Sequence, residues 1–103
     1  MARAHALHFP PHLAAELIAR TPPGDWPEVV IQAALERFSC LTRSLRETWV
    51  KDYWWQASRL GAWRKLRITE TTWQRGRACK TTCWTVEQVI VAACAYHCRG
   101  ISA

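Results

Sequence analysis

Residues 3–20, RAHALHFPPHLAAELIAR, change their hydrophobic period once, and that change sets the fold class. Over Arg3–Phe9 the side chains alternate. His5, Leu7 and Phe9 fall on one face and Ala4, Ala6 and His8 on the other, the two-residue period of a half-buried strand. Pro10-Pro11 closes the strand and suits the first turn of a helix, where a missing N–H leaves no hydrogen bond unmade. Leu13, Ala14, Leu17 and Ile18 then recur at helical spacing to about Arg20.

Outward from this segment, Thr21-Pro22-Pro23-Gly24 reads as a turn, with Asp25 as N-cap and Pro27 and Glu28 in the first turn of the next helix. Val30, Ala33, Ala34, Phe38 and Leu41 form its apolar stripe, which continues through Leu45, Trp49, Tyr53, Ala57, Leu60 and Trp63. This predicts one long central helix, or two broken near Ser39-Cys40, ending near Gly61. From Leu66 to Trp73 the period changes again. Leu66 and Ile68 alternate with Arg67 and Thr69, Gln74–Arg77 reads as a turn, and Ala78–Trp84 reads as a returning strand, which together predict a short β-hairpin. Thr85-Val86-Glu87-Gln88 has the spacing of a capping box. The helix it opens runs from about Val86 to Arg99, with Gly100 as its stop. Its middle is apolar on every side, which predicts burial within this chain or against another. No internal repeat is evident. The fold class is mostly α with minor β (α+β).

The segment His5-Ala6-Leu7-His8-Phe9-Pro10 followed by Leu13-Ala14-Ala15-Glu16-Leu17 resembles the strand and first helix of the ribbon-helix-helix family. Gly24-Asp25-Trp26-Pro27-Glu28-Val29-Val30-Ile31-Gln32-Ala33-Ala34-Leu35-Glu36-Arg37-Phe38 resembles that family's second helix, where a Gly-polar turn precedes a Glu-Val-Ile…Ala-Leu…Phe pattern. The resemblance covers residues 3–40. It implies an obligate homodimer in which each chain gives one strand to an antiparallel ribbon that enters the DNA major groove. Leu7 and Phe9 would then pack on the helices, and Ala4, Ala6 and His8 would face DNA, with Arg3 and His8 as the candidate contacts of this segment. Direct readout uses Arg, Lys, Asn, Gln or hydroxyl groups on base edges, so two alanines and a histidine depart from the pattern. Asp25 also brings negative charge to the helix start where the family holds phosphate. The resemblance implies an antitoxin-like or transcriptional-regulator-like role. In this family a partner-binding segment often follows the second helix, the position that residues 41–103 occupy. The domain reading is thus a dimerisation module over 1–40 and a Trp/Arg-rich helical and hairpin extension over 41–103, packed as one small domain with it.

Charge and aromatic content divide the chain differently. Residues 1–58 carry six basic and six acidic side chains, so the whole net charge of +6 lies in 59–103. Six of the seven tryptophans lie at Trp49 or beyond. Basic groups interleaved with aromatics suit a polyanion with stackable bases, DNA or RNA. Arg64, Lys65, Arg67, Arg75, Arg77 and Lys80 would form one phosphate-binding patch across the predicted hairpin. The plain alternative is a solvated face. Trp49 and Trp63 sit on the helical stripe and are expected in the core. Trp54 and Trp55 cannot both face one core, and with Trp73 they are candidate contacts to a protein partner.

Cys79-x-x-x-Cys83 and Cys94-x-x-x-Cys98 form two matched pairs. A zinc ion held by four thiolates, one or more disulfides, and packed thiols are the three alternatives. Cys40 is expected as a core thiol. No secretory signal is evident, since His5, His8, Pro10, Pro11 and His12 break any apolar run, so the expectation is an intracellular, cytoplasmic chain without a membrane span. The four glycines are isolated and no nucleophile–base–acid set stands out, so no enzyme is expected. The function expected is therefore a small nucleic-acid-associated homodimer. The alternative is a non-catalytic accessory subunit docking through Trp and Arg onto a larger protein or ribonucleoprotein complex.

Overall fold

The computed structural model describes residues 4–57, 63–80 and 83–100. The element order is β1 (Ala4–Phe9), α1 (Pro11–Ala19), α2 (Glu28–Ser39), α3 (Arg43–Ala57), β2 (Arg64–Thr69), α4 (Glu70–Ala78) and α5 (Val86–Gly100). It is a mostly helical α+β fold with one two-stranded antiparallel sheet.

The first strand and helix form as their periods dictate. Leu7 and Phe9 are buried and Ala4, Ala6 and His8 exposed. α1 starts at Pro11, with Pro10 in the capping position, and buries Leu13, Ala14 and Leu17. Gly24 takes a positive φ of 87° in the following turn, a conformation that costs glycine nothing. Asp25 does not cap α2. It lies in that turn, its N–H bonded to Pro22, and the capping position is Pro27. The helical stripe breaks after Ser39, where Thr42 accepts the Leu45 N–H and starts α3. On α3 the inward positions are Trp49, Val50, Tyr53 and Trp54, while Leu45 is exposed. The expected helix end near Gly61 lies outside the described residues, as does Leu60.

The predicted hairpin is not formed. β2 pairs with β1, from Ala4 opposite Thr69 to Phe9 opposite Arg64. Residues 70–78, expected as strand, turn and returning strand, are helix α4. Threonines argued for strand there, but tertiary contacts override that preference. Thr72 is fully buried, and Gly76 lies where α4 meets α5.

The chain is an internal repeat, contrary to the impression its sequence gives. Strand, helix, helix recurs in the same order, and a shift of 59 positions aligns the two runs in sequence: Leu7 with Leu66, Glu28 with Glu87, Ile31 with Ile90 and Ala34 with Ala93. α1 and α4 are each nine residues long and match under the same shift. Buried Leu13 and Leu17 correspond to buried Thr72 and Gly76. Leu7 also faces Leu66 across the ribbon, so the residues that are equivalent in the repeat meet at its centre. An antiparallel pair with that register has a local two-fold axis at its midpoint. α2 and α5, equivalent in the repeat, pack on each other more extensively than any other pair of helices.

α3 stands outside the repeat. It carries the chain from the end of α2 back toward β2 and covers α5 on the way. Trp49 Nε1 donates to the Ala92 carbonyl at 2.7 Å and Trp54 Nε1 to that of Gln88 at 2.8 Å. α5 opens with its capping box in place: the Thr85 N–H donates to Gln88 Oε1 and the Gln88 N–H to Thr85 Oγ1. From Val89 to Cys94 every residue of α5 is fully buried, covered by helices and strand of its own chain. Burying each large aliphatic side chain there contributes roughly 1.5–3 kcal/mol. Among the described residues no helix is long and apolar enough to cross a membrane.

A Cβ placed on Gly76 would lie 2.3 Å from Cγ1 and 2.5 Å from Cδ1 of Ile90. Gly76→Ala therefore pushes α4 off α5 and lowers stability by about 1–3 kcal/mol, read as a lower urea midpoint with an unchanged slope.

Candidate nucleic-acid interface

The ribbon has two unlike faces. Inward, His5, Leu7 and Phe9 of β1 and Leu66 and Ile68 of β2 pack over the helices. Outward, alternation presents Ala4, Ala6 and His8 from β1 beside Lys65, Arg67 and Thr69 from β2. The register sets Ala4 opposite Thr69, Ala6 opposite Arg67 and His8 opposite Lys65, so two long basic side chains stand side by side along β2, each facing a β1 residue across the ribbon.

Both ends of the ribbon are tied to a carboxylate from the opposite half. Glu28, at the start of α2, accepts from the Thr69 N–H at 2.8 Å, from Thr69 Oγ1 at 2.6 Å and from Thr72 Oγ1. Gln32 adds a bond to Thr72 Oγ1 at 3.0 Å. Glu87, equivalent to Glu28 in the repeat and at the start of α5, accepts from the His8 N–H at 2.8 Å and lies 3.3 Å from His8 Nδ1. Burial pushes the Glu28 carboxyl up, but the bonds from Thr69 and Thr72 outweigh it and hold the group below the ordinary carboxylate range. On the inner face His5 stacks on Trp73 at 4.2 Å and meets Glu70 at 3.0 Å.

The structure therefore gathers some of the residues singled out above and separates others. His8, Lys65 and Arg67 share the outer ribbon face. Arg64 belongs to the other face, exposed at the ribbon end opposite Phe9. Arg75 and Arg77 lie on α4, behind the ribbon; Arg75 lines a groove with Leu35, Glu36, Ser39, Arg46 and Cys79. Lys80 follows α4, so the single six-residue patch does not form, because the hairpin that would have assembled it is absent. Arg3 lies outside the described residues. Thr69 is the outward residue missing from the basic set; the alternation of 65, 67 and 69 was its signal.

Trp54 and Trp55 line a groove of about 770 Å³ with Glu47, Lys51, Cys83 and Trp84. Trp54 is half-buried and stacks on Trp63 at 5.4 Å, whereas Trp55 is 76% exposed. Trp73 is elsewhere, under the ribbon. The cysteines do not converge: among the described residues no three potential metal ligands cluster. Cys79 and Cys94 are buried, Cys98 is half-buried and Cys83 exposed. Burial pushes the thiols of Cys79, Cys94 and Cys98 up, which keeps them protonated. Cys40, expected in the core, is exposed at the end of α2, its thiol 3.5 Å from the Glu36 carbonyl.

Because the folded-state value of Glu28 lies below its unfolded value of 4.5, its contribution to stability is complete above that pH and is lost as pH falls through the folded value. Glu28→Gln flattens the acid limb of a plot of urea midpoint against pH between about pH 2 and pH 7, and the same plot for wild type falls at its acid end. No family model, curated protein or solved structure matches this chain, so a functional reading rests on its own geometry.

Proposed function

We propose that the protein is a small non-catalytic DNA-binding protein, regulator-like or antitoxin-like, that lays the β1–β2 ribbon in the major groove of duplex DNA. The observation that carries this reading is the outer ribbon face: Lys65, Arg67 and Thr69 stand beside Ala4, Ala6 and His8. The major groove admits a two-stranded ribbon, and Arg and Lys there match the O6 and N7 acceptors of guanine. The Thr69 hydroxyl, whose proton is donated to Glu28, is left to accept from a base amino group, and alanine methyls pack against thymine methyls while letting the ribbon approach closely.

The sparse reading head of β1 thus acquires its hydrogen-bonding partner residues from β2. The resemblance of residues 3–40 to the ribbon-helix-helix family supports the same docking, since a two-stranded ribbon over paired helices is that family's reading device. Duplex RNA is a poor alternative, because its major groove is too deep and narrow for a ribbon. The net charge of +6 adds a sequence-independent attraction that weakens with salt.

A second reading, an accessory subunit that docks on a larger protein, draws on Trp55 and the groove it shares with Trp54 and Trp84. The two readings place their key residues on different elements, so substitutions separate them. Arg67→Ala and Lys65→Ala each weaken binding to a selected duplex by about 1–3 kcal/mol in a mobility-shift titration at fixed salt, while Trp55→Ala leaves it unchanged. Duplex affinity that is indifferent to both basic substitutions, but falls with Trp55→Ala, refutes the ribbon reading.

A further inference from the structure

We infer that one chain is the whole reading unit and that its target is a non-palindromic duplex site, bound by one copy of the protein. This rests on the ribbon reading above. Three observations carry it.

First, both strands of the ribbon come from the same chain, centred on the Leu7–Leu66 pair. The pairing that the family resemblance assigns to two chains is complete within one. Second, the helix pair behind the ribbon is also internal. α5 is buried on every side by α2, α3, α4, α1 and β1 of its own chain, so its apolar surface is already covered without a second copy.

Third, the repeat keeps its residues where α2 meets α5 and changes them on the outer ribbon face. The two-fold axis through Leu7 and Leu66 keeps Val30 matched to Val89, Ile31 to Ile90 and Ala34 to Ala93. On the outer face it matches Ala6 to Lys65 and His8 to Arg67. One half of the ribbon therefore offers Arg67 beside Ala6, with Ala4 and Thr69 beyond. The other half offers Lys65 beside His8. A symmetric protein imposes a palindrome on its site because each half-site meets the same side chains. Here a palindrome would put identical bases before unlike side chains, so at most one half would be satisfied. Arg67 favours a guanine with thymine methyls against the alanines of its half; the Lys65–His8 half selects different bases.

The test is selection of duplexes from a random library by the full chain, followed by the mass of the complex in sedimentation. A non-palindromic consensus and a complex of one chain per duplex are expected. Replacing half of that site by the inverted copy of the other half should lower affinity tenfold or more, roughly the effect of one or more wrong base pairs. The double variant Ala6→Lys with His8→Arg gives both halves the same Lys–Arg pair at the two central outer positions, and the selected consensus should become palindromic at the base pairs that those positions face. Should that variant fail to fold, the wild-type consensus and stoichiometry still decide. A palindromic wild-type consensus, or two chains on one site, overturns the inference and leaves the ribbon reading standing. No selective duplex binding at all overturns the ribbon reading, and the inference with it.

Discussion

The antiparallel pairing of β1 with β2 is the constraint on which the remaining structure depends. It joins strands whose central residues, Leu7 and Leu66, are 59 positions apart, so everything between them must form a closed path. Closing a loop of that length has an entropic cost that grows only slowly with length, but two strands of six residues cannot offset it alone. The offset comes from α5. A helix buried from Val89 to Cys94 needs cover on all sides, and that cover is available only when both halves are assembled around it. Ribbon and central helix are thus two aspects of one event, and Glu28 and Glu87 fasten the ends by reaching from each half to the strand of the other.

Much of this was legible in the sequence, and what was not has a physical cause. The strand at Ala4–Phe9, the proline start of α1, the break after Ser39 and the capping box of α5 all follow from local rules and all occur. The repeat was hidden because its second copy keeps the shape of the first with different chemistry. Leu13 and Leu17, which make α1 recognisable, are replaced by Thr72 and Gly76. A buried threonine held by Glu28 and Gln32, and a glycine against Ile90, leave no hydrophobic stripe to read. Without a visible helix, Thr71, Thr72 and Trp73 pass for strand, and β2 then seeks its partner in the wrong direction along the chain. The outer residues Lys65 and Arg67 were legible as basic groups, but their place opposite His8 and Ala6 is a long-range fact that no local pattern encodes.

The same divergence resolves the uneven charge. The neutral half and the cationic half share one face, because β2 lies beside β1 and lends Lys65 and Arg67 to the outer side of the ribbon. The aromatic residues take a different part. Trp49 and Trp54 secure α3 to the carbonyls of α5, and Trp73 supports His5 beneath the ribbon. Of the tryptophans past the first third, Trp55 is the one set mainly toward solvent.

The crossover made by α3 also changes what dilution can do to this molecule. When two chains must meet to complete a ribbon, the folded state is a bimolecular product, and its population falls as the protein becomes scarce. With α3 holding the second half within reach of the first, assembly is unimolecular, at an effective concentration set by the tether rather than by the number of copies present. The pairing of β1 with β2 then carries no dependence on abundance, and the ribbon is as completely closed in a few molecules as in many.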